Sequence, residues 1–214
     1  MDPKPEVLSV PQPPRRKRLT PDTRIPLILD AALTEFSNQG YSATRVDDIA
    51  TRAGLSKSGF YAHFSGKDQV FEALLKHSLQ TPSIDLEALL EGDPDLPTLV
   101  DRLVAAIHAP LDDPKVRATT RLMLSEGHRL PDIVRQWRQN VLGQVNDRIS
   151  TLLRICIDRG LCRDGPLRQY PWLVSSPMVH TLIQQLSFNS FSAAEMNQAR
   201  QAHKAMLMEL LALK

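Results

Sequence analysis

Aromatic residues make up only 5% of this 214-residue chain, and it has only two cysteines, Cys156 and Cys162. Two thiols are too few and too unpatterned for a disulfide framework or a zinc module, so they read as buried thiols in a reducing compartment. No alternating β-branched run appears, which argues against a sheet. No apolar stretch has the length of a signal peptide or a membrane span, so a cytoplasmic protein that stays off the membrane is expected. A large charge excess is missing as well. With a net charge of +2, any nucleic-acid partner must show itself in local clusters. The chain also lacks G-x-S-x-G, a phosphate loop, H-E-x-x-H and the Glu-x-x-His pairs of helical-bundle metalloproteins. The expectation is a protein that is not an enzyme and needs no cofactor or metal.

What is present is hydrophobic content of 42% against 23% charged residues, with most apolar residues set in stripes at helical spacing. That pattern indicates an all-α fold. Residues 1–22 are proline-rich and end in the basic run Arg15, Arg16, Lys17 and Arg18, so they read as a disordered arm. A solvated tail and a DNA-contacting arm both remain open for it. From Thr23 a first helix buries Ile25, Ile28, Leu29, Ala32, Leu33 and Phe36, with Pro26 expected in its first turn and Gly40 as its left-handed cap. Thr44 with Asp47 reads as the cap of a second helix whose inner face is Val46, Ile49, Ala50 and Ala53. Gly54 breaks that helix, and Ser56 caps a short third one from Lys57 to His63. Ser65 with Asp68 reads as the opening of a fourth helix, with Val70, Phe71, Leu74 and Leu75 inward. This gives a unit over 23–80 and a second helical unit over 81–214, with helices near 94–109, 113–128, 131–159, 176–188 and 192–213.

The segment TRVDDIATRAGLSKSGFYAHF carries the functional signal. A helix-turn-helix needs a small residue where its helices cross, a glycine able to take positive φ in the turn, and an apolar lock. Ala50, Gly54 and the set Ile49, Ala53, Leu55 and Phe60 meet these needs. Ser56 then directs the start of the next helix outward, as a major-groove reader requires.

The run from Arg24 to about Leu79, ILDAALTEFSNQGYSATRVDDIATRAGLSKSGFYAHFSGKDQVFEALL within it, resembles the DNA-binding domain of the TetR family. The resemblance covers about a quarter of the chain and implies a repressor that binds a palindromic operator as a dimer and is released by a small molecule. By it, Lys57, Ser58, Gly59 and Ala62 face base edges, with Lys57 able to donate to guanine and Gly59 allowing close backbone approach. Arg45, Ser56, Tyr61, His63 and Lys67 match positions that hold phosphates. The competing reading is a helix-turn-helix adaptor or activator without a ligand, whose body binds a protein.

For the body, the last helix carries Met196, Ala199, His203, Met206, Leu210 and Leu213 at coiled-coil spacing, and the helix before it offers Val179, Leu182, Ile183 and Leu186. The family pattern places a homodimer interface on these two helices, around 176–213. Packing inside the monomer is the alternative. An effector pocket, for a small apolar or amphipathic molecule, is expected from Arg121, Met123, Ser125, Glu126, His128, Trp137 and Phe188.

Overall fold

In the computed structural model, which describes residues 21–78, 84–188 and 191–213, helix α1 spans Pro21–Gln39. It starts inside the stretch read as an arm. Pro26 therefore falls in the second turn, where its missing N–H removes one helical hydrogen bond. The basic run at 15–18 lies outside the described residues. Gly40 has φ +81°, the left-handed conformation expected of the cap. Then come α2 (Val46–Arg52), α3 (Lys57–Tyr61) and α4 (Lys67–Ser78). The body is built from α5 (Leu86–Leu90), α6 (Leu96–His108), α7 (Pro114–Glu126), α8 (Pro131–Trp137), α9 (Gln144–Asp158), α10 (Pro166–Gln169), α11 (Ser176–Ser187) and α12 (Ala193–Leu211). Among the described residues there is no strand.

Two caps differ from the sequence reading. The N–H of Arg45, not that of Thr44, is held by a carboxylate, that of Asp48 at 2.9 Å, while the Thr44 hydroxyl donates back to the Gly40 carbonyl. Asp47 is drawn away by Lys57. At α4, the Ser65 N–H donates to Gln69 Oε1, and Asp68 accepts from the Tyr41 hydroxyl instead of closing a capping box.

The helix expected over 131–159 is interrupted by a π-helical segment, Arg138–Gly143. Its cause can be read from the apolar pattern. On a continuous α-helix, Ile133, Val134 and Trp137 would face about 100° away from Ile149, Leu152, Leu153 and Cys156, counting 100° per residue. The wider π turns absorb about that much rotation. Both apolar sets can then face inward.

The hydrophobic interior has two centres. The first joins α1 to α4 through Ile28, Phe36, Ile49, Phe60, Phe71 and Leu74, and it takes in Leu122 and Met123 from α7 with Ile133, Val134 and Trp137 from α8 packed on it. Phe36, Tyr41 and Phe71 form an aromatic triangle with centroids 5.1–6.2 Å apart. The second centre gathers α5, α6, α9, α10 and α12 around Leu103, Val104, Leu152, Leu153 and Leu207. The chain boundary near residue 80 is thus not a boundary in the packing, because α7 and α8 complete the first core.

Helix α12 uses its apolar stripe inside the monomer. Met196, His203, Leu207 and Leu211 are buried, and α6 is the main partner of the helix. His203, a member of the stripe read as a dimer seam, therefore lies inside the monomer. Its Nε2 lies 2.8 Å from the Val174 carbonyl and its Nδ1 lies 3.0 Å from Nε2 of the equally buried His108. A carbonyl can only accept, so His203 carries its proton on Nε2 and receives the His108 N–H on Nδ1. Both rings are neutral in this chain of bonds. Cys156 and Cys162 are buried and free, as expected, and a hydrogen bond between them together with burial pushes the Cys156 thiol up.

Candidate nucleic-acid interface and effector clefts

Phe60 is fully buried and pins α3 to the first core, which leaves the other faces of this one-and-a-half-turn helix outside. Gly54, at φ +70°, makes the turn that an L side chain would strain. Ser56 Oγ then accepts from the Gly59 N–H at 3.1 Å, the cap expected from the sequence. A Cβ on Gly59 would sit 3.3 Å from Ser56 Oγ, so the bare glycine also keeps this cap compact.

Ser56, Lys57, Ser58, Tyr61 and Ala62 are exposed, and Arg45 is exposed at the start of α2. Together they form one polar tip. Lys57 Nζ lies 3.1 Å from Asp47, whose carboxylate holds the ammonium above its ordinary range. This pair is wholly in water, so a stronger anion can take the lysine over. Tyr61 stacks edge-on against Phe60 with its ring 48% exposed. His63 is half-buried, and its Nε2 is enclosed without a hydrogen-bond partner among the described residues, so that edge of the ring faces protein.

Lys67 has a different setting from the other expected phosphate contacts. Its ammonium donates to the carbonyls of Tyr41, Ser42 and Thr44 at 2.7, 3.1 and 3.1 Å and lies 4.6 Å from the Tyr41 ring centre. All three protons are committed. The residue is a clamp on the loop between α1 and α2, and direct phosphate contact would require breaking it. Lys67→Met should therefore cost about 2 kcal/mol of stability by charged hydrogen-bond bookkeeping. Thermal unfolding beside Arg45→Ala, expected to be neutral, checks this; equal melting of the two proteins would remove the clamp.

Sequence reasoning missed a second hold on the same loop. Arg129, just after α7, donates to Ser42 Oγ at 3.0 Å, lies 5.8 Å from the Tyr41 ring centre and is paired with Glu126 at 2.9 Å. At the other end of α7, Lys115 pairs with Asp30 of α1 at 2.8 Å. Helix α7 is thus fastened to the N-terminal unit at both ends. No local pattern could reveal this, since 87 residues separate Arg129 from Ser42.

The expected effector residues do not form one pocket. Met123 and Trp137 belong to the first core, Glu126 is held by Arg129, His128 is exposed, and Phe188 is 59% exposed at the end of α11. Arg121 and Ser125 do meet. They line a cleft of about 430 Å³ with Phe36, Arg117, Leu122 and Gln185, between the end of α1, α7 and α11. A second cleft, about 450 Å³, lies between α1, α4 and the start of α7. Among the described residues there is no cluster of metal-ligating side chains, and no helix is long and apolar enough to cross a membrane.

Three comparisons bear on this geometry. Residues 28–74 match the family described as bacterial regulatory proteins, tetR family. The chain is 28% identical over 136 residues to the HTH-type transcriptional regulator AcrR of Shigella flexneri, which covers 61% of this chain and 63% of that relative. It therefore spans less than two thirds of that relative's length. Its fold is similar to a TetR-family transcriptional regulator from Mesorhizobium loti (TM-score 0.71, 23% identity, 90% of this chain and 98% of that one). It is also similar to a transcriptional regulator from Saccharomonospora viridis in complex with choline (TM-score 0.70, 20% identity, 90% of this chain and 100% of that one).

Proposed function

We propose that this chain, whose residues 28–74 match the tetR family of bacterial regulatory proteins, is a regulator of that family that binds a palindromic operator as a homodimer and releases it when its body takes up a small molecule. The observation that carries the reading is the tip formed by α2 and α3. Phe60 anchors it, Gly54 turns it, and Arg45, Ser56, Lys57, Ser58 and Tyr61 stand exposed on it.

Lys57 and Ser58, at the start of α3, are the base readers in this proposal, with Ala62 beside them, and Gly59 lets the helix approach closely. Arg45, Ser56, Tyr61 and the outer edge of His63 position the phosphates. Lys67 contributes by fixing the loop that carries α2. The dimer forms on α11, where Val179 and Ile183 remain 47% and 45% exposed, with the outward side of α12 beside them. For release, a ligand must bind the free and operator-bound shapes with different affinity. The route runs through α7, fastened to the reader by Lys115 and Arg129, and through α4. One solved neighbour holds choline, which supports a small-molecule site in such a body.

Selection of bound sequences from random DNA tests the reading. A palindrome with half-sites about one helical turn apart or somewhat more is expected. Lys57→Ala should relax one position per half-site, at a cost of about 1–3 kcal/mol. A selection without two-fold symmetry would sink the dimeric reader. A body that binds no small molecule and retains a protein partner instead would favour the adaptor reading.

A further inference from the structure

We infer that the cleft between the end of α1, α7 and α11 binds an amphipathic organic anion, a molecule with a carboxylate or similar oxyanion on a short apolar chain. The inference rests on the effector reading above and gives that effector a place and a chemical class.

The charges on the lining carry the argument. Among the described residues, the only ionic side chains on this cleft are two guanidiniums, Arg117 and Arg121, and no acid lines it. They are four residues apart on α7, a spacing at which like charges repel along a helix. Neither is in an ion pair among the described residues. Each gives one N–H to a backbone carbonyl, Arg117 to that of Leu111 and Arg121 to that of Leu186 at 3.0 Å. A guanidinium has five donors in a fixed fork, so both retain N–H groups for an oxyanion. The other two described clefts differ. One sets Asp30 and Asp113 beside Lys115, and the other closes Asp101 with Lys204 and Asp112 with Arg200. Their positive charges are already balanced.

The rest of the lining fits the remainder of such a ligand. Phe36, Ala118, Leu122 and Leu186 supply apolar wall for a chain. Gln185 Oε1 is buried without a hydrogen-bond partner among the described residues and would accept from a hydroxyl or N–H on the ligand. A volume of about 430 Å³ suits a small molecule. The position suits the switch as well. Ser125, on the cleft wall, immediately precedes Glu126, which holds Arg129 against the reader loop. An anion that draws Arg121 from the Leu186 carbonyl would shift α7 against α11 and reach that clamp.

Calorimetric titration of the full-length protein with octanoate, octanol, octyltrimethylammonium and sulfate tests the inference. Octanoate should bind saturably and at least about tenfold tighter than the alcohol or the cation, as charged hydrogen bonds to a fork imply. Arg117→Gln/Arg121→Gln should lose about tenfold or more of the octanoate affinity. Since Arg117 also holds Leu111, the single Arg121→Gln is measured beside the double variant, with circular dichroism to check folding. Equal binding of octanoate and octanol, no saturable octanoate binding, or unchanged affinity in both folded variants would overturn the site. Operator titrations separate the two readings. Octanoate binding that leaves operator affinity unchanged keeps the site and removes the release mechanism. Release by some other molecule, without octanoate binding, does the reverse.

Discussion

Ile183→Asp should turn the protein into a folded monomer whose operator affinity drops on the order of a thousandfold or more, toward the non-specific level. The side chain is 45% exposed in the single chain and sits on α11 one turn from Val179, so the monomer core does not depend on it. In a two-fold interface the substitution places two unpaired carboxylates in a dry apolar contact, at a cost of several kcal/mol. Leu210→Asp is the instructive contrast. The Leu210 side chain packs on the second core, so a carboxylate there should unfold the body before it separates subunits. Light scattering, circular dichroism and operator binding on both variants decide the matter. A dimeric Ile183→Asp protein would move the interface off α11.

Acid should destabilise the body by about 3 kcal/mol between pH 6.5 and pH 4, through the buried histidine pair. The His108 pKa is lowered from 6.5 to about 4, first by burial and then by the neighbouring His203 and Arg200, with Asp112 opposing the shift. His203 is lowered as well, again by burial. A folded-state pKa below the unfolded one means that the folded state binds fewer protons at intermediate pH. The stabilisation is then fully present above about 6.5 and is lost as pH falls toward 4. The bonding explains the direction: the one unshared ring nitrogen, His108 Nδ1, is buried without a partner among the described residues, and a proton there would be a buried charge with no acceptor. Denaturant unfolding across this range, on the wild type and on His108→Phe, measures it. A slope that Phe leaves unchanged would assign the acid sensitivity to other groups.

The parts of the fold governed by neighbouring residues were legible from the sequence. Gly40 and Gly54 needed positive φ, Ser56 had an N–H three residues on to cap, and Phe60 had to point inward. Errors arose where two local solutions compete or a distant partner decides. Thr44 with Asp47 and Arg45 with Asp48 are competing registers one residue apart; arginine has no side-chain acceptor, so the second is held by the Asp48 carboxylate alone, and Lys57, across the turn, engages Asp47. A lysine opening α4 gives no sign that three carbonyls some 23–26 residues back will take its protons. The α12 stripe announced a partner helix but not which one, and α6 of the same chain covers His203. The phase slip between Trp137 and Ile149 was readable and points directly to the π segment. The candidate effector residues are dispersed because α7 turns Met123 toward the reader and Arg121 toward α11, and a helix face read alone does not say which neighbour it meets.

The shared core of α1–α4, α7 and α8 also limits how this protein can be taken apart. A fragment ending near residue 80 would expose the surface that Leu122, Met123 and Trp137 cover, so the reader is not a detachable cassette. A chimera joining this reader to a foreign body keeps its interior only if the graft point lies beyond α8. The π segment at Arg138–Gly143 is the natural seam, because the phase of the helix is reset there and the chain passes from one core to the other.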